Sequence, residues 1–516
     1  MLDRAVTTMP AVAAPNMGWA STEAASRSLG LGLWLAVGII TGFGFSLRFY
    51  CAANDLWTDE IWSLQLVQGL RSPAEVLWGI SHDNNHYLNS LWLYGLGPGH
   101  SARLYRLPAV LFGTLSVLAA ARLGLRHSRA TGLATAALVA TSYLLVNYGS
   151  EARGYAGMVL ALLIALDAFD RVAARAPSGR WAVIPIGRHR WIFGAAIGIG
   201  ALSHLTLIGA LPVFGAAMAL RRARAGRSLV SAACEGLALL WPGLLLVVPA
   251  LACVVTGIVI RGGFTFGETA PFELSDFLRG FSDMLHIATG LPETVPLSLI
   301  IGATGLGLLV AARIGQLDVA NQCLVLAGLV VLPLAMALLR LPNLQHARYF
   351  LIPAVILIVA QGRIIGAIWD QGGPASWVTA AAILGVMLLG QIAWIQPLIE
   401  VGRGSYGRVL DVIASEGRPT YSSDSRFLTQ SIVDTLAAGR NQTFDYVGAS
   451  RWCATPPDWY IVVGEIGPER LETGSAGCPA SFARRATFPT SALSGMLWTL
   501  YRRAGEVRLP IVDSAR

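Results

Sequence analysis

The sequence predicts a polytopic α-helical membrane protein that carries a small α/β domain at its C-terminal end. Three observations lead there. The 516 residues are 54% hydrophobic and only 13% charged, with a mean hydropathy of +0.57, whereas soluble globular proteins carry about 25% charged residues. Apolar runs repeatedly reach the roughly 20 residues that a helix needs to cross a bilayer, and no alternating barrel-type strand pattern precedes residue 397. From Arg403 onward Ser, Thr, Asp and Gly rise and the apolar segments shorten.

In chain order, residues 1–28 are polar and small, with Arg4 and Arg27 ahead of the first apolar run. That run is longer than the apolar core of a cleavable signal, so it predicts a retained anchor. Run lengths predict about eleven spans, centred near residues 40, 115, 138, 162, 198, 212, 248, 303, 330, 357 and 385. The connections Arg122 to Arg129, Arg171 to Arg190 and Arg221 to Arg227 hold three, five and four Arg and alternate with less basic ones. The positive-inside rule assigns them to the cytoplasm. The expected division is a cytoplasmic segment 1–28, a membrane domain 29–396 with outer loops 51–105 and 261–293, and an extracytoplasmic α/β domain 397–516. The outer loop 51–105, rich in Trp57, Trp62, Trp78 and Trp92, predicts helices lying in the membrane interface.

In the tail, Val409 to Ser415 and Phe427 to Ala438 read as helices. Phe444 to Val447, Trp459 to Val463 and Leu497 to Tyr501 read as strands. No Gly-rich phosphate loop follows a strand, which argues against a nucleotide. The net charge of +8 resides mostly in short loop arginines that set orientation, so no nucleic-acid partner is expected. Cys51, Cys234, Cys253 and Cys323 fall in or beside apolar runs and read as packing residues. Cys453 and Cys478 are either a disulfide, if the tail is exported, or two unpaired thiols.

The outer face receives nearly all the unusual polar residues. In Trp57-Thr58-Asp59-Glu60 the two carboxylates would point about 100° apart on a helix, so they cannot serve one substrate together. Both are taken as catalytic-site candidates, Asp59 as the acting group and Glu60 as support for a neighbour or a metal. Asp55, Asp59 and Ser63 would share a face at i, i+4 spacing. The bland alternative is that these acids solvate the start of an interfacial helix. In Ser81-His82-Asp83-Asn84-Asn85-His86-Tyr87, His82 and His86 could hold a divalent metal if helical, but Asp-Asn-Asn favours a loop that aims Asn85 and His86 at a ligand. Arg103, Arg106, Arg153 and Arg348 fall on the same face. The chain contains no Lys, so any fixed side-chain cation for binding phosphate is an arginine.

These segments carry a family resemblance. Leu56-Trp57-Thr58-Asp59-Glu60-Ile61-Trp62, His82-Asp83-Asn84-Asn85-His86-Tyr87-Leu88, Arg103-Leu104-Tyr105-Arg106-Leu107-Pro108, Ser150-Glu151-Ala152-Arg153-Gly154-Tyr155 and Arg348-Tyr349 together resemble GT-C-type glycosyltransferases that use polyprenyl-phosphate sugars. The likeness is to the bacterial protein-mannosyltransferase-like and aminoarabinose-transferase-like branch, over roughly residues 30–365. Tyr87 departs from that branch, where Pro is common. The resemblance implies an inverting enzyme of the inner membrane. Asp59 would be its base, Arg348, Arg153, Arg103 and Arg106 its donor-phosphate ligands, and His86, Asn85, Tyr155, Glu151 and Tyr349 its pocket. The implied partners are a polyprenyl-phosphate-linked sugar, a lipid, glycan or protein acceptor, and membrane lipids. The tail is expected to cover the site or recruit the acceptor, so that its deletion would spare donor binding. A secondary transporter of a polar or anionic solute is the rival reading.

Overall fold

The structure is a computed structural model that describes residues 30–175, 187–226, 228–267, 269–314, 317–416, 419–475 and 477–504. The N-terminal segment with Arg4 and Arg27, and residues 176–186 of the Arg171 to Arg190 connection, lie outside the described residues. The helical layer contains α1 (Leu31–Cys51), α2 (Thr58–Gln68), α3 (Tyr87–Leu96), α4 (Leu107–Leu125), α5 (Arg129–Thr141), α6 (Tyr143–Tyr148) and α7 (Tyr155–Arg175). It continues with α8 (Arg188–Ser203), α9 (Ala210–Arg224), α10 (Leu229–Arg261), α11 (Leu274–Thr289), α12 (Leu297–Arg313), α13 (Val319–Leu326), α14 (Leu332–Leu338), α15 (Leu351–Asp370) and α16 (Pro374–Glu400).

Each of the eleven expected centres falls within or beside a helix. Among the described residues, seven helices, counting short leading turns, are long and apolar enough to cross a membrane by length and composition. The protein is a multi-pass membrane protein. The remaining centres fall on shorter or more charged helices. α5 and α6 break at Ser142, α8 has 16 residues, α12 has 17 and α7 carries Asp167 and Asp170.

The helices are sorted by how much of their surface meets protein. Of the most apolar 18-residue stretch of each, 94% is buried in α15 with its leading turn but only 17–22% in α1, α10 and α16, so α15 forms the centre and the others present apolar side chains outward. Small residues set its contact with α5: a side chain at Gly362 or Gly366 would collide with Thr135 or Thr131, the small-residue spacing that lets membrane helices approach closely. Arg48 is wholly buried near the end of α1. It donates to the carbonyls of Gly44, Val139 and Ala140 at 2.9, 2.9 and 3.0 Å, so the C-terminal carbonyls of α5 accept its charge.

The tail adds α17 (Tyr406–Ser415), α18 (Arg426–Ala438) and strands β1 (Thr420–Ser423), β2 (Asp445–Tyr446), β3 (Trp459–Val463), β4 (Arg470–Ser475), β5 (Cys478–Phe488) and β6 (Trp498–Arg503). They form one mixed sheet in the order β2-β1-β3-β6-β5-β4, parallel among β2, β1 and β3 and antiparallel from β3 onward. Both expected helices and all three expected strands are present, while β1, β4 and β5 were not anticipated. Cys453 and Cys478 form a disulfide.

The outer loop 51–105 differs from the expectation of helices lying free in the interface. Ile61, Leu64 and Val67 of α2 share one buried cluster with Tyr406, Leu410, Ile432, Trp459 and Trp498 of the tail. Gly402 and Gly404, with φ of +65° and +137°, turn the chain between α16 and α17 and seat Arg403 at this seam. That shared core gives the tail a folding role beside the expected one of covering the site or recruiting the acceptor. Deleting residues 403–516 should expose the α2 face and yield aggregated or degraded protein, read by size exclusion in detergent. A monodisperse truncated protein with an unchanged melting point would contradict the shared core.

Candidate active site

The site is built where α2 begins. Trp57 is extended, and the Glu60 carboxylate reaches back to accept from its N–H at 3.2 Å, half of a capping box that also places acidic charge at a helix N-terminus. Glu60 is fully buried. Arg106 donates to it from Nε at 2.7 Å and from Nη2 at 2.5 Å, and the Ala152 N–H donates at 2.7 Å. Burial alone would raise the Glu60 carboxyl, but Arg106, with Arg403 and the Ala152 amide, holds it below the usual carboxylate range. The remaining Arg106 donors go to Ala52, Asn54 and Asp55.

These bonds bear on three assignments. Glu60 is fully buried and bonded to Arg106 and the Ala152 amide, so it does not solvate the helix start. Arg106 has no nitrogen left for a phosphate. Arg103 lies exposed, stacked 5.0 Å from the Phe49 ring.

Asp59, one residue earlier, points the other way. One of its carboxylate oxygens lies 2.8 Å from Arg153 Nη1 and 3.5 Å from Arg348 Nη1, with the side chain 22% exposed. Asp55 does not share this face, because the helix begins at Thr58; its carboxylate instead accepts from the Gly407 N–H at 2.7 Å. Ser63 and Asn84 both bond the Asp59 carbonyl, which ties the start of α2 to the following loop.

Arg153 is packed between the Trp57 and Tyr155 rings and donates through Nε to His86 Nε2 at 3.2 Å. Burial, then the neighbouring His204 and Arg153, lowers His86 well below the ordinary histidine range. A neutral ring is the form that accepts this bond. His86, His204, Tyr155 and Tyr148 form a run of ring contacts with centroids 4.4, 4.2 and 4.5 Å apart. Gly154 is required there, since a side chain would strike the Ser203 carbonyl. Arg348 comes from the turn Ala347–Phe350 ahead of α15 and lies 5.4 Å from the Tyr349 ring.

Asn85 is turned away from any ligand: its side chain donates to the Val76 and Ile80 carbonyls and accepts from Ser90. Glu151 is fully buried, accepting from Trp57 Nε1 at 3.1 Å and Ser494 Oγ at 3.0 Å, with Arg153 and Arg403 at 3.6 and 3.8 Å. It fastens the corner to the tail rather than lining a pocket. Burial raises its carboxyl against the pull of Arg153 and Arg403. The His82–His86 metal pair is not supported. His82 Nδ1 accepts from the Asn84 N–H and lies 2.8 Å from Asp83, while His86 Nε2 faces a guanidinium. Among the described residues no group of three or more His, Cys, Asp or Glu gathers as metal ligands.

His204, Tyr148, Arg403 and Ser494 belong to this region although the sequence motifs did not single them out. A histidine at the end of an apolar run was the available signal for His204. Arg403 and Ser494 gave none, because their role depends on how the tail docks.

The fold and site define a multi-pass membrane protein with a carboxylate held between two arginines at one end of its helical layer. No model of a known family and no curated protein matches the chain. Among solved structures it is similar to ArnT from Cupriavidus metallidurans in the apo state, with 13% identity, coverage of 83% of this chain and 92% of that one, and a TM-score of 0.33. The same protein bound to undecaprenyl phosphate gives 13%, 92%, 98% and 0.35. Arabinofuranosyltransferase AftD from Mycobacteria gives 13% identity over 90% of this chain and 41% of that one, with a TM-score of 0.38. These superpositions are loose, and the reading of the site rests on its side chains.

The two adjacent acids should separate in stability. Glu60→Ala leaves Arg106 as an unpaired buried charge and should cost about 3–5 kcal/mol, whereas Asp59→Asn should cost clearly less. Melting curves of the two purified variants test this order, and equal losses would refute it.

Proposed function

We propose that the protein is an inverting glycosyltransferase that moves a sugar from a polyprenyl-phosphate-linked donor to a hydroxyl of an extracytoplasmic acceptor, whether lipid A or another glycolipid, a polysaccharide or a protein. The observation that carries the reading is Asp59 poised against Arg153 and Arg348 at the end of an apolar helical layer. The motif resemblance agrees with it. On this reading the N-terminus is cytoplasmic, and the site and tail lie outside the inner membrane, because the Arg-rich connections mark the opposite end.

The chemistry follows from the groups present. The acceptor oxygen attacks the anomeric carbon as the bond to the phosphate oxygen breaks on the opposite face, inverting the centre. Asp59 takes the hydroxyl proton as general base. Arg153 and Arg348 stabilise the charge that develops on the departing polyprenyl phosphate, a role suited to guanidinium groups already held in a partly buried site. His86 orients Arg153 through its bond to Nε. Tyr155 and Tyr349 form walls beside the two arginines.

The transporter reading gains nothing from the helix interiors. Asp167, Asp170 and Glu235 are paired with Arg171, Arg363 and Arg222.

The first test is the melting point of the full-length protein in nanodiscs, with and without polyprenyl phosphate. Saturable stabilisation is expected, and Arg348→Ala should weaken it roughly 10- to 100-fold, the scale of one charge-assisted hydrogen bond. No stabilisation of the wild type over a wide concentration range would sink the lipid-phosphate assignment. Asp59→Asn should keep that stabilisation and lower transfer by about 100-fold or more. Near wild-type turnover in this variant would remove Asp59 as the base.

A further inference from the structure

At the opposite end of the same helices lies a second arrangement that the proposed reaction does not use. α7 begins with Tyr155 beside the candidate site and approaches its other end at Arg171. Arg122 stands in the last turn of α4, and His189 in the first turn of α8. Between these three helix ends is a cavity of about 270 Å³, lined by Arg122, Asp167, Arg171 and His189 on one side and by apolar groups including Ile164 and Ile192 on the other.

The charges around this cavity do not balance. Among the described residues that line the cavity Asp167 is the one carboxylate, with Arg171 Nε at 3.1 Å, Arg122 Nε at 3.4 Å and Arg126 Nη1 at 3.6 Å. The nearby Asp170 pairs with Arg363 at 2.7 Å, faces His127 at 3.9 Å and also acts on Arg126, so the four arginines Arg122, Arg126, Arg171 and Arg363 stand against two carboxylates. Two positive charges are therefore in surplus beside a space with an apolar wall. Ile164 and Ile192 are 37% and 45% exposed, so that wall continues onto the lipid-facing surface of the helical layer.

A lone arginine at a membrane boundary would snorkel to headgroups without forming a site. Here three arginines converge on one acid, and two of them, Arg122 and Arg171, line a cavity with it. We propose that this cavity binds the phosphate of an anionic phospholipid, with the headgroup between Arg122 and Arg171 and an acyl chain along Ile164 and Ile192. The chemistry matches the general pattern of basic pockets between membrane helices, and guanidinium groups pair bidentately with phosphate. The site is separate from the Asp59 centre and does not depend on the reaction proposed there.

The test uses the full-length protein in nanodiscs of phosphatidylcholine alone, the same discs containing phosphatidylglycerol, and phosphatidylcholine discs with millimolar inorganic phosphate. The expected result is a melting point several degrees higher with phosphatidylglycerol than in either other condition. That rise should shrink to near zero in Arg122→Gln/Arg171→Gln and in Ile192→Trp, which fills the apolar wall and leaves every charge in place. If the double variant does not fold, Ile192→Trp still decides the question. An equal rise in wild type and Ile192→Trp would mean a diffuse surface-charge effect and overturn the proposal. No rise in the wild type would overturn it as well. Full stabilisation by inorganic phosphate would assign the cavity to a free anion and overturn the lipid.

Discussion

The Glu60–Arg106 ion pair is the constraint on which the rest of the site depends. Burying two charges costs several kcal/mol per ion before their attraction is counted, so such a pair survives only where its remaining donors and acceptors are satisfied. Here they are: every Arg106 nitrogen has an acceptor, and Glu60 also receives the Trp57 and Ala152 amides. One side chain thereby joins the turn after α1, the start of α4 and the corner that precedes α7. Asp59 can point away from this pair, toward Arg153 and Arg348, because the backbone on its other side is already fixed.

The tail extends the same constraint. Arg403 is wholly buried and donates to the Asn147 carbonyl at 2.6 Å, Ser150 Oγ at 3.0 Å and Asn54 Oδ1 at 3.2 Å. Ser494 receives from Asn147 and donates to Glu151. Trp62 of α2 packs between His82 and Phe427 of α18, with ring centroids 4.2 and 5.1 Å away. The α/β unit therefore forms one half of the site's own support. The apolar surface it covers on α2 would otherwise face water.

The division of labour between Asp59 and Glu60 was legible from their adjacency, because helical geometry forbids two neighbours from sharing a face. Which of them goes inward did not follow from spacing, because the shared face expected for Asp55, Asp59 and Ser63 needs helix before Thr58, and the fully buried arginine that receives Glu60 was not legible either. Arg103 and Arg106 look alike in sequence, three residues apart before an apolar run, and only the tertiary position of Asn54 and Ala152 separates a surface arginine from a hub. Strands β3 and β6 were readable because they are aromatic and aliphatic. β1 (Thr-Tyr-Ser-Ser) and the polar hairpin β4–β5 owe their conformation to pairing partners and not to composition. The amphipathic α11 was hidden in an outer loop because its apolar face is too short to read as a span.

The charge balance of the Asp59 centre bears on how a transfer reaction would run there. Asp59 faces two guanidinium groups, and these three groups by themselves leave one positive charge in surplus, with Glu151 a further 3.6 Å from Arg153. A polyprenyl-phosphate sugar is a phosphodiester with a single negative charge, so its arrival would bring the centre to neutrality. On the proposed reading, transfer moves the acceptor proton onto Asp59 and leaves a phosphate monoester that carries a second negative charge. The carboxylate charge disappears as the phosphate charge doubles, and the sum is again zero. The two arginines need only shift their attention from the acid to the leaving group. A site so arranged stabilises the separating charge without recruiting a new cation, which is consistent with a centre built from arginine alone.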